Sequence, residues 1–229
     1  MQPYDIVTQT SAEALVRKNR VLRNTYALLA LSMVPTVIGA LIGVQLKFTF
    51  FAGSPVLAFL LFLGVAWGFI WGIERHKNSG VGVALLLGFT FFMGLMLSRI
   101  LQAALGFANG GSLIALAAGG TGAIFFALAG IAATTKREFS SLGKFLFAGV
   151  ILLLVAALAN AFLQIPALAL TISLLAVGIF SALILYDINR IVQGGEDNYI
   201  SATLAVYLDI YNVFVSLLNL LLAFSGERE

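Results

Sequence analysis

The chain has 229 residues, 61% of them hydrophobic and 10% charged, with no cysteine, one histidine (His76) and a net charge of +3. This balance lies outside that of soluble domains and marks an integral membrane protein. The absence of cysteine excludes disulfides, thiolate catalysis and cysteine-held metals, and one histidine cannot build a metal site alone.

Crossing a hydrocarbon core of about 30 Å takes about 20 apolar residues in a helix, so charge clusters and Gly, Pro and Asn signals divide the chain. Residues 1–23 are polar and basic and read as a tail. Their acidic, polar start and the lack of a cleavage site in the expected place do not fit a removable signal peptide. Span one is predicted over about Asn24 to Leu46 and span two over Pro55 to Ile73, with the aromatic loop "KFTFFAGS" between them. Span three follows "ERHKNSG" and covers about Gly80 to Leu105; after "GFANGGS", span four covers about Leu113 to Thr134. Phe145 to Tyr186 is free of charge over 42 residues. At 1.5 Å per residue that is roughly 63 Å, two spans rather than one. The break is placed at "QIPAL", where Pro166 suits the first turn of span six. After "QGGEDN", span seven runs from about Tyr199 to Phe224. The glycines within spans, as in "AAGGTGAIFFALAG", are read as sites of close helix packing.

Seven spans also organise the charges. Arg17, Lys18, Arg20, Arg23, Arg75, Lys77, Lys136, Arg137, Lys144 and Arg190 fall on one side, Lys47 and Arg228 on the other, and Arg99 lies inside span three. By the positive-inside rule the N-terminus is expected in the cytoplasm and the C-terminus outside. The basic residues therefore read as topology, not as a nucleic-acid surface. The expected fold is an all-α, seven-helix membrane bundle in a single domain over residues 24–229.

Ionisable groups deep in a membrane are costly and face the bundle interior or a cavity. Arg99, with its long stem, can snorkel outward. Asp187 and Asp209 have short stems and cannot. Asp187 stands near the end of span six, where the helix dipole disfavours a negative charge, and Arg190 at i+3 is its nearest local partner. Asp209 lies about ten residues into span seven and heads a stripe of Asn212, Ser216 and Asn219 at helical spacing, a face expected to point inward. The two aspartates are 22 residues apart across a hairpin. A turn centred near Asn198 puts them at one depth, and a turn centred on Glu196 offsets them by about 6 Å. In contact they cannot both ionise cheaply, so the pair is expected to share a proton and to respond to pH. Presenilin-type proteases also carry two intramembrane aspartates, but this chain has "VYLD" where they have Gly-x-Gly-Asp. No catalytic role is assigned, and the chain is not expected to be an enzyme.

Taken together, the seven spans, "VLRNTYALLALS" in the first, "FLQIPAL" before the sixth and "YDINRIVQGGEDNYISATLAVYLDIYNVFVSLLNLL" at the end resemble the Bax inhibitor-1 family in its bacterial YccA-like branch. The resemblance covers nearly the whole chain. It implies a bundle with the last helix central, seated in a bacterial inner membrane. It further implies a di-aspartyl proton sensor at Asp187 and Asp209 that gates a calcium leak. In the bacterial branch it implies a second role, binding and modulating the membrane-anchored ATP-dependent AAA protease FtsH. A family arginine at the cytoplasmic end of span two pairs with the sixth-span aspartate; Glu74 stands there in this chain. Arg75, one residue later, or Arg190 is the alternative counter-charge. Two carboxylates and a few amides are a thin ligand set, so calcium is expected as a weakly held permeant ion and no cofactor is expected. A transporter of another solute has no residue signature in this sequence.

Overall fold

The computed structural model describes residues 3–48, 55–135, 137–139 and 141–226, with side chains described from residue 16 onward except at position 55. It consists of seven helices: α1 (Pro3–Gln45), α2 (Pro55–Arg75), α3 (Gly80–Leu105), α4 (Gly110–Thr134), α5 (Leu142–Leu163), α6 (Pro166–Gln193) and α7 (Tyr199–Gly226). All seven contain a stretch long and apolar enough to cross a membrane, and no strand occurs among the described residues. The molecule is an all-α membrane bundle.

Local chemistry sets the ends. Pro166 occupies the first turn of α6, where its missing N–H costs nothing. At the other end Gly194 caps α6 in the left-handed region (φ 81°), as the residue after a helix often must. Asn198 opens α7: its Oδ1 accepts from the N–H groups of Ile200 and Ser201, two donors the first turn would otherwise leave bare. The principal difference from the predicted boundaries is α1, which is helical from Pro3, so the helix of span one extends back through the segment read as a tail.

The bundle is built around α7, which packs on α1, α2, α3, α4 and α6. Leu86, Phe89, Ile184, Ile188, Val206, Tyr207 and Val213 fill the core. Outward faces carry exposed large apolar side chains, among them Trp67, Phe145 and Leu152, as lipid contact requires.

The glycines correct one expectation. Those of α4 do not mediate close packing as a group: a Cβ added at Gly119, Gly122 or Gly130 would meet open space. Close approach belongs instead to α1 and α3. There a Cβ at Gly39 would strike the carbonyl of Phe91, and one at Gly94 the carbonyl of Thr36. Small residues permit contact, but a partner helix must also be present to use it.

Candidate functional site

The loop joining α6 to α7 spans Gly194 to Asn198, so Glu196 is its centre. Asp187 lies six residues before the end of α6 and Asp209 ten residues after the start of α7, an offset of four residues or about 6 Å. Side-chain direction closes that gap. Helical side chains lean toward the N-terminus of their own helix. Asp187 therefore leans away from the loop and Asp209 leans back toward it. Their carboxyl groups thereby come close enough to interact.

Asp209 is 5% exposed, and its Oδ2 has no hydrogen-bond partner among the described residues. Asp187 is half-buried. The charges that act on Asp187 are those of Arg190 and Glu196. Arg190 itself is committed elsewhere: its guanidinium bonds Glu196 Oε2 at 2.9 Å and the Gly195 carbonyl at 3.2 Å. The loop turns the arginine outward, so its expected pairing with Asp187 is replaced by a bond to the loop carboxylate. Arg75 is also directed away from the pair; it is exposed and lies over the Trp71 ring at 5.3 Å. Glu74, its neighbour, pairs with Lys77 at 3.1 Å. Neither proposed counter-charge forms an ion pair with Asp187 or Asp209 among the described contacts.

The expected polar stripe is present only in part. Ser216 is buried and Asn212 half-buried, its Nδ2 donating to the Leu208 carbonyl at 2.8 Å. Asn219 is exposed, contrary to the inward direction expected. It lies ten residues beyond Asp209, and at 100° per residue the stripe has by then rotated about 80° around the helix. Asn212 lines a cavity of about 540 Å³ between α2, α3, α5 and α7, with Leu208 and Tyr211; exposed Arg99 lies in its wall. The cavity thus approaches Asp209 to within one turn of α7 and carries a positive charge.

Several contacts that hold the hairpin were not singled out from the sequence. Asn189, two residues after Asp187, accepts from the Phe139 N–H and donates to the Arg137 carbonyl, fixing the α4–α5 loop. Asn198 donates to the Lys77 carbonyl and to Asn78, joining the α6–α7 loop to the α2–α3 loop. Tyr207 shares a 2.9 Å hydrogen bond with Thr36 and donates to the Thr90 carbonyl at 3.4 Å, so α7, α1 and α3 meet at one hydroxyl. Val21 of α1 packs on Ile191 and Ala202, and the Lys18 stem lies against Gly194. The N-terminal helix therefore rests directly on the hairpin that carries the aspartates. Asn198 closes the "QGGEDN" loop, where an amide before a helix signals a cap, and Asn189 stands in "YDINR", where nothing in the sequence names its partners. Among the described residues, no group of three or more His, Cys, Asp or Glu side chains is placed to hold a metal.

Comparison with known proteins agrees with this architecture. The family model described as "Inhibitor of apoptosis-promoting Bax1" matches residues 18–226. An uncharacterized protein of Neisseria meningitidis is 41% identical over 226 residues, covering 98% of this chain and 97% of its own. The "Modulator of FtsH protease YccA" of Escherichia coli K12 is 39% identical over 208 residues, 91% of this chain and 92% of its own. An "Uncharacterized membrane protein" of Vibrio cholerae is 38% identical, covering 93% and 94%. The chain belongs to the Bax inhibitor-1 family.

Proposed function

We propose that this member of the Bax inhibitor-1 family is a non-catalytic inner-membrane protein that binds and modulates a membrane-anchored, FtsH-type protease. The observation that carries the reading is the 39% identity, over 91% of the chain, to a protein named as a modulator of that protease. The contact of Lys18 and Val21 with the α6–α7 hairpin supports it physically. A protease that engages the start of α1 engages a lever seated on the hairpin. With the basic ends cytoplasmic, that start faces the compartment where an ATP-driven protease works. The test is degradation of a membrane substrate by the purified protease in vesicles, with and without this protein. Slowed degradation that needs Met1–Thr10 is expected; an unchanged rate with the full-length protein overturns the reading.

A second reading, a proton-sensitive cation leak with calcium as the permeant ion, rests on the contact between Asp187 and Asp209. Loss of the shared proton leaves two adjacent carboxylates whose repulsion pushes α6 and α7 apart. The freed oxygens are hard ligands suited to brief calcium contact, and Asn212 and Ser216 continue along α7. Arg99 in the wall of the outer cavity opposes cation entry, so this reading requires its guanidinium to swing toward the headgroups. Calcium flux into vesicles that changes with pH, and loses that change in Asp209→Asn, is the expected result. Flux indifferent to both removes the reading.

A further inference from the structure

We propose that the cleft between α1 and α4 is a binding site for the acyl chains of an anionic phospholipid, with Arg23 at the level of the headgroup. Both helices pack on α7, but their backbones stay apart from each other. The space between them is a cavity of about 1150 Å³. Ala30, Met33 and Val37 form one wall, Ala118, Gly122 and Phe126 the other, and α7 the floor. Val37 is 55% exposed and Phe126 75% exposed, so the cleft opens sideways into the bilayer.

Its length and its opening to the bilayer suit lipid tails. From Tyr26 to Val44 the cleft follows 18 residues of α1, about 27 Å. That length is close to the thickness of a hydrocarbon core. Extended hydrocarbon tails are thin enough to lie in it side by side. The small residues of α4 keep it open, since a Cβ at Gly122 or Gly130 would meet nothing within 4 Å.

Charge selects the headgroup. Arg23 precedes Tyr26 by three residues and Ala30 by seven, which places it on the cleft-facing side of α1, one turn beyond the apolar wall. Arg17 and Arg20 are exposed on the same helix end, and Arg137, also exposed, follows the end of α4. Tyr26 meets Phe125 edge-on, at 6.2 Å between centroids, and so bridges the cleft at this end with a ring whose hydroxyl suits the interface. Lipid tails reach about half of a 30 Å core, so they run from Tyr26 to about Val37. The other half is left for a lipid of the opposite leaflet.

The test uses the full-length protein in vesicles doped with phosphatidylglycerol that carries a diazirine midway along one tail. Mass spectrometry is expected to find labels on α1 near Met33 and on α4 near Phe126 at several times the level on the exposed faces of α2 and α5. Gly122→Leu, whose side chain enters open space, should lower that labelling at least threefold; Gly130→Leu serves if that variant does not fold. Arg23→Gln should lower labelling by the phosphatidylglycerol probe and leave that by a matched phosphatidylcholine probe unchanged. Uniform labelling around the bundle, or equal labelling by the two probes in the unaltered protein, overturns the proposal. So does a photoreactive residue at Val37 that captures a protein helix in native membranes.

Discussion

Two helix seams in this bundle solve the same packing problem by opposite means. The α1–α3 seam is closed by the absence of atoms: Gly39 and Gly94 let backbone meet backbone. The α6–α7 seam encloses two carboxyl groups, one of them 5% exposed. The first seam rests on backbone contact and acts as scaffold. Under the proton-sensor proposal the second depends on a proton, which gives it two states. Tyr207 connects them, because its hydroxyl reaches Thr36 and Thr90 on the scaffold from the helix that carries Asp209.

The largest expected effect breaks the scaffold. Gly94→Val places a side chain on the Thr36 carbonyl and should cost about 3 kcal/mol or more, since helices must separate to admit it. Thermal unfolding in detergent checks this, with loss of folded protein the expected outcome at any pH. Next comes Asp187→Ala, which strips Asp209 of its hydrogen-bond partner and leaves a buried carboxyl uncompensated. A loss of about 1–3 kcal/mol is expected in the same assay. Asn198→Ala removes the cap of α7 and its contacts with the α2–α3 loop, for about 1 kcal/mol. Tyr207→Phe, which cuts the connection between the seams, should cost about 1 kcal/mol as well. The smallest effect on stability is expected from Asp209→Asn, whose amide can still donate to Asp187. That variant should lose the pH response: hydrogen exchange in α6 and α7 should rise from acid to alkaline pH in the unaltered protein and stay level in the variant. Exchange in α1 and α3 should be level in both.

The sequence carried the spans well because hydropathy and charge are local. The start of α3 at Gly80, the Pro166 break and the start of α7 at Tyr199 could all be read directly. Pairing of Asp187 with Asp209 was legible as a spacing, but their meeting depended on the lean of side chains on antiparallel helices, which spacing alone leaves open. The partner of Arg190 was not legible, because it is fixed by the fold of a five-residue loop that brings Glu196 within 2.9 Å. The glycines misled for a related reason: Gly94 and Gly122 look alike in sequence, and only the presence of α1 opposite one and a cleft opposite the other separates them. Asn219 fell out of the stripe because its last step of three residues leaves it about 80° around the helix from Asp209.

The claim that a proton holds the α6–α7 seam is tested most directly by the separation of the Asp187 and Asp209 carboxyl groups in structures at acid and at alkaline pH. Hydrogen-bond contact at acid pH and a separation beyond about 6 Å at alkaline pH, with the α1–α3 seam unmoved, is the predicted result. The same separation at both would contradict it.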